Sequence, residues 1–263
     1  MQASSTTESQ LRWAPWWVLA SVALWPLPGP AEAVLSLGAL AALAVLAIQR
    51  FRGGMALLSH EAWALTTVLF LSYWLPELLS SPDAINAGRA VRESLLDLRY
   101  LPFLWLVAIA VANDRGRRLT FGGIAVICGF WLVDALVQAA TGWSLGGQAT
   151  ADRLSGVFGA GNLKLGLVLA SLAPFPLIAA ADRFGLRGWL LVAMALVVVV
   201  LLAGARASWV TLALVLLCCA CMQFRNRRAI LAVVGGAAVM LVLATAFSDK
   251  LQERVQRTGA MLD

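Results

Sequence analysis

The sequence predicts an all-α polytopic membrane protein with nine transmembrane helices, and three observations point there. Of the 263 residues, 61% are hydrophobic and only 13% are charged, against about 45–50% and 25% in soluble domains. The mean hydropathy is +0.83. The apolar residues also fall into runs that approach the roughly 17–25 residues needed to cross a bilayer, with short charged turns between them. This composition excludes disordered chains and nucleic-acid modules that rely on a basic surface. The net charge of +6 reads instead as loops facing an anionic membrane surface. The whole chain, 1–263, is read as one transmembrane domain.

The expected spans are 13–29, 31–49, 61–79, 100–112, 119–140, 162–181, 188–204, 207–224 and 229–247, with 248–263 opening an outer-side loop. The first follows a polar stretch, Met1–Leu11, and is read as retained rather than cleaved near Ala31-Glu32-Ala33. Pro26, Pro28 and Pro30 are expected to break the chain after it. The second ends at Arg50 and Arg52, and the third starts after His60, the one histidine. The fourth is short and extends back into Arg89–Arg99; the fifth follows Arg115, Arg117 and Arg118. The sixth starts after a glycine-rich stretch. Trp189 to Cys221 then runs almost unbroken for 33 residues, about 50 Å as one helix against a hydrocarbon core of about 30 Å. Gly204-Ala205-Arg206 interrupts that run, so two spans joined by a very tight turn are expected.

Nine spans put Arg12, Arg50, Arg52, Arg115, Arg117, Arg118, Arg183, Arg187, Arg225, Arg227 and Arg228 on one side, mostly in short turns. The positive-inside rule makes that side cytoplasmic, leaving residue 263 periplasmic. Trp13, Trp16, Trp25, Trp143 and Trp189 lie near expected span ends and read as interfacial anchors. Cys128, Cys218, Cys219 and Cys221 all fall in apolar runs and read as reduced thiols packed in helices. Acylation of the Cys218–Cys221 cluster, beside its basic turn, is a lesser alternative.

On the expected outer side, three separate segments supply cations: Arg89, Arg92 and Arg99; Arg153 with Lys164; and Arg206. Arg206 stands between two apolar spans with no acid within 20 residues. An arginine in that setting either binds an anion through its guanidinium fork or snorkels to helix-end carbonyls. Arg153 opens Arg153-Leu154-Ser155-Gly156-Val157-Phe158-Gly159-Ala160-Gly161-Asn162. Its glycines suit a close backbone approach, and Asn162 is a candidate N-cap for the following helix. That stretch is either an anion-attracting loop or simply a tight connection with a cap. Asp134 and Gln138 share a face of the fifth span, where the acid either pairs with an arginine or acts as a protonatable relay. His60 reads as an interfacial polar residue. The sequence holds no Ser–His–acid set and no metal-ligand cluster, so neither a metal nor a cofactor is expected.

Two of these stretches carry a resemblance. Residues Arg153 to Leu163 resemble the R-x-x-G-x-F-G-x-x-N entry to a mid-chain span in the O-antigen ligase and polymerase superfamily. Ala203-Gly204-Ala205-Arg206-Ala207-Ser208-Trp209 is similar to that family's T-G-[ST]-R-[GS]-A-W turn, keeping the Arg and the Trp. Leu98-Arg99-Tyr100 is compatible with its entry to the fourth span. The resemblance implies a GT-C-like bundle, these residues forming the N-terminal portion of an architecture of about twelve spans. It implies a metal-independent inverting glycosyltransferase of the bacterial inner membrane, active in lipopolysaccharide or cell-surface polysaccharide biosynthesis. Its donor would be an undecaprenyl-diphosphate-linked glycan, and its acceptor a lipid A core or another glycan. Arg206 would hold the diphosphate, with Arg153, Asn162 and Arg99 in or beside the same cavity; Arg254 and Arg257 could assist. The general base would be a histidine on a periplasmic loop after the ninth span, beyond Asp263, so no catalytic residue is expected within this stretch. Two alternatives stand beside this reading. One is a small-anion or proton-coupled transporter using Asp134; clustering of the cations on one side and the absence of an inverted repeat weigh against it. The other is an inactive, truncated remnant.

Overall fold

The computed structural model describes residues 12–51, 57–148, 153–224 and Gly235. The expected ninth span, the tail at 248–263, and Arg254 and Arg257 lie outside the described residues, Gly235 apart. The chain is predominantly α-helical and divides into two compact units, Met1–Phe121 and Gly122–Asp263. Four helices among the described residues, not nine, are both long and apolar enough to cross a membrane: Pro28–Phe51, His60–Asp83 with its terminal 3-10 turn, Asp114–Thr141 and Pro174–Ala203.

In the first unit, α1 (Ala14–Ala23) is only 10 residues long. It stops before Pro26, which disfavours helical backbone at the preceding residue. The chain turns at Trp25–Leu27 and enters α2 (Pro28–Phe51). The break therefore comes earlier than expected: Pro28 and Pro30 lie in the first turn of α2, where a missing N–H leaves no bond unmade. Helix α3 (His60–Ser80) is capped by Ser59, whose Oγ accepts the Ala62 amide at 3.2 Å. A short 3-10 turn, Ser81–Asp83, leads to α4 (Ala87–Asp97), an amphipathic helix, and then α5 (Tyr100–Ala110). At 11 residues α5 spans about 16 Å, half a hydrocarbon core, so the fourth expected span is not a crossing helix by itself. It is apolar all the way round, as a helix enclosed by others must be. It packs on α1, α2 and α3, with Leu106, Ile109 and Ala110 buried against Ala14, Val18 and Ala42.

The second unit continues α6 (Asp114–Thr141), which Asn113 caps by accepting the Gly116 amide at 2.7 Å. A two-residue hairpin pairs β1 (Trp143–Ser144) with β2 (Gly147–Gln148). A 3-10 turn (Gly156–Phe158) precedes α7 (Lys164–Leu172), α8 (Pro174–Ala203) and α9 (Arg206–Gln223). Only Ala173 separates α7 from α8, and Pro174 opens the new helix without loss of a needed donor.

The segment α8 is two helices joined at Gly185, whose backbone is non-helical with φ 63° and ψ −152°. The chain reverses there, as its contacts show. A Cβ on Gly166 would lie 3.1 Å from Ala203 and 3.3 Å from Ser208 Oγ, so the end of α8 has returned to the start of α7. At the other end, Gln223 donates to Asp182 Oδ1 at 3.3 Å, and the Trp189 and Phe224 rings meet edge to face at 5.8 Å. Three antiparallel passes result: 164–184, 186–203 and 206–223. Small residues such as Gly166, Ala170, Ala203 and Ser208 allow the close approach that takes the place of hydrophobic expulsion inside a bilayer. The turn expected at Gly204-Ala205-Arg206 is present: Gly204 is left-handed with φ 76°, and Trp209 Nε1 donates back to the Val200 carbonyl at 3.2 Å.

Trp16, Trp25 and Trp143 are exposed, as interfacial anchors would be. Trp189 is fully buried, so for it the anchor reading is corrected. Residue 189 faces α9 because Gly185 has already reversed the chain. Cys128 and Cys219 are buried free thiols, whereas Cys218 and Cys221 are exposed on α9.

Candidate functional site

The two motif stretches approach each other in the second unit. The Leu154 amide donates to the Leu202 carbonyl at 3.2 Å, tying the residue after Arg153 to the last turn of α8, just before Gly204-Ala205-Arg206. Arg153 is exposed beside this bond, and Lys164 is exposed at the first position of α7. Arg206 is the first residue of α9; its side chain is outside the described part. One end of the three-pass bundle therefore carries three cationic positions and the starts of two helices. The Asn162 carboxamide accepts the Lys164 amide at 3.0 Å. It caps α7 from one position further out than expected, because Leu163 takes the N-cap position.

The loop carrying Arg153 is held from below by α6. Gln138, 1% exposed, accepts the backbone amides of Ser155 at 3.0 Å and Gly156 at 2.8 Å through Oε1. Its Nε2 donates to Ser144 Oγ at 3.1 Å. The Ser144 hydroxyl in turn lies 3.0 Å from the Gly147 carbonyl and 3.1 Å from that of Gly156. One turn earlier, Asp134 Oδ1 accepts the Leu145 amide at 2.9 Å. Its partner is thus a backbone amide, not the arginine considered from sequence, and Oδ2 is buried with no donor among the described residues. Gly146 fits under the same loop: a Cβ there would collide with the Gly156 carbonyl and lie 2.7 Å from the Gly159 nitrogen. Phe158 closes the floor with its ring 5.3 Å from that of Trp131. Gln138, Ser144, Gly146 and Trp209 were not singled out for these roles by sequence reasoning. The i, i+4 pairing of Asp134 with Gln138 inside an apolar span was the available signal.

Arg89, Arg92 and Arg99 belong to the first unit. Arg99, between α4 and α5, reaches α2: Nη1 donates to Ser36 Oγ at 3.3 Å, and Nη2 lies 3.7 Å from Glu32 Oε2. Its guanidinium sits 5.7 Å from the centre of the Tyr100 ring, and its Nε is buried with no partner among the described residues. Arg89 pairs with Glu93 at 2.8 Å on an exposed helix face, a contact worth little in water. His60 is exposed at the first position of α3. No family model, curated protein or solved structure matches this chain.

Proposed function

We propose that this chain is an O-antigen ligase-like glycosyltransferase of the bacterial inner membrane, N-terminus inside, and that it holds the glycan donor. The observation that carries the reading is the approach of the two motif stretches at one end of the second unit: Leu154 of the first bonds to Leu202, the residue just before the second, and Gly166, three residues past the first, leaves little room for a Cβ beside Ala203 and Ser208. Arg206 holds the diphosphate of an undecaprenyl-linked glycan and offsets charge as that group leaves. Arg153 and Asn162 line or support the same cavity. The acceptor is the sugar of a lipid A core or a similar glycan. In the inverting step a base takes the acceptor hydroxyl proton, and the oxygen attacks the anomeric carbon. The bond to the diphosphate oxygen breaks as the new one forms, its electron pair leaving on that oxygen. The resemblance assigns that base to a loop after the ninth span.

Arg206→Ala should weaken binding of undecaprenyl diphosphate by about tenfold or more, the size of one lost charged hydrogen bond of roughly 1.5–3 kcal/mol, with the fold intact by circular dichroism. Unchanged affinity would remove the assignment. A proton-coupled transporter is the second reading, favoured by the buried Asp134 Oδ2, which has no donor among the described residues. Unchanged lipid-diphosphate binding in Arg206→Ala, with proton-coupled flux lost in Asp134→Asn, would put it first.

A further inference from the structure

We propose that helix α4 lies in the membrane–water boundary and holds the phosphate of an anionic phospholipid on Arg92, with the lipid's chains against Leu95 and Leu96; this does not depend on the transferase reading. The roll of α4 about its own axis is set by its inner side. Ser94, fully buried, accepts the Trp74 indole N–H on its carbonyl at 2.8 Å. Its hydroxyl lies 2.9 Å from Ser81 Oγ and 3.2 Å from Glu77 Oε1. One turn on, the Tyr73 hydroxyl donates to Asp97 Oδ2 at 3.1 Å.

With that side held against α3, the 100° step between helical residues puts Arg92, Leu95 and Leu96 on the outer side. Leu95 is 53% exposed and Leu96 50%, and the bonds to Ser94 and Asp97 prevent the helix from rolling to bury them. Ile85, just before the helix, is fully exposed as well. Bulky apolar side chains fixed outward on a short amphipathic helix, between two membrane-apolar helices, are the mark of an interfacial segment with its apolar side in the acyl boundary. Arg92 stands three and four residues before the two leucines, one helical turn from both. Its aliphatic stem can therefore lie over them while the guanidinium reaches headgroup level. Arg89 is engaged by Glu93, whereas Arg92 has no ion pair among the described residues. Asp97 and Glu77 lie on the α3 side. The free guanidinium is complementary to a phosphodiester, which it can meet with two N–H groups.

The test uses the full chain in proteoliposomes containing photoactivatable phosphatidylglycerol, with cross-links mapped to peptides. Cross-links should fall within residues 85–99. They should drop about fivefold in Arg92→Gln, the equivalent of roughly 1 kcal/mol for one cation at an anionic surface. Arg92→Lys, which keeps the charge, should retain most of the labelling and shows that any loss is not a failure to fold. The proposal is overturned if residues 85–99 are unlabelled in the wild-type protein, or labelled equally in Arg92→Gln. It is also overturned if photoactivatable phosphatidylcholine labels them as strongly.

Discussion

At the residue scale, Gln138 is where the candidate site is most exposed to a single change. One carboxamide oxygen satisfies two buried amides and the nitrogen engages Ser144. Replacing it with leucine keeps volume but strands both amides, each at roughly 1–3 kcal/mol. Gln138→Leu is therefore expected to destabilise the second unit by about 2–4 kcal/mol and to speed hydrogen exchange at Ser155 and Gly156. Gln138→Glu keeps the acceptor oxygen and should lose less. Wild-type exchange rates at those amides in Gln138→Leu would refute the role. The site was legible in sequence to the extent that its residues announce themselves by type. An arginine between two apolar runs and a glycine-rich stretch ending in asparagine are conspicuous. A glutamine is not, because what it holds is backbone 17 and 18 positions away, and no local pattern encodes that pairing. Gly146 is hidden for a related reason: it lies next to Gly147, and only the packing beneath the loop separates the one that must lack a Cβ for space from the one that must for its φ of 107°.

At the element scale, turns decide the topology, and two glycines make turns of different kinds. Gly204 ends α8 in the left-handed region, φ 76° and ψ 11°, which asparagine also adopts. Gly185 has ψ −152° at φ 63°, close to a region that belongs almost wholly to glycine. Nothing lies within 4 Å of a Cβ built on Gly185, so any cost of substitution there is conformational. Gly204→Asn is expected to shift thermal stability little, whereas Gly185→Asn should lose about 1–3 kcal/mol. Thermal unfolding of the two variants in detergent checks this, and equal midpoints would mean that Gly185 does not set the reversal. The long apolar runs were legible because length and hydropathy suffice: 61–79 against His60–Ser80, and 119–140 against Asp114–Thr141. The arginines at 115, 117 and 118 masked the start of the latter, since exposed charges in a first helical turn read as loop. The break after Gly204 was legible from the length argument. The separation of α4 from α5 was not. Leu98 and Arg99 keep helical backbone angles, and a 3-10 tightening, with Leu101 N bonded to the Leu98 carbonyl, leaves no proline or glycine to mark it.

At the scale of the whole molecule, the sidedness drawn from charge can be set against the ends of the second unit. The pass 186–203 is about 27 Å long at 1.5 Å per residue, close to one hydrocarbon thickness. Its two ends differ in chemistry. One holds Asp182, Arg183, Arg187 and Gln223; the other holds Arg153, Asn162, Lys164 and the start of α9. If the unit crosses the bilayer along its helices, these ends must face different compartments. No described polar side chain along Trp189–Ala203 offers a reason for that pass to stop midway. The positive-inside rule assigns the Arg183 end to the cytoplasm. Single cysteines introduced at Arg183 and at Lys164 should then react with a membrane-impermeant thiol reagent from opposite sides of sealed vesicles, Lys164→Cys from the periplasmic side. Cys218 and Cys221, exposed on the bundle but within an apolar helix, should react slowly from both. Labelling of both introduced thiols from the cytoplasmic side would show that the hairpin at Gly185 re-enters rather than spans. The candidate site would then share a compartment with the Arg183 turn, where a lipid-linked donor assembled in the cytoplasmic leaflet, and not one displayed outside, would meet it.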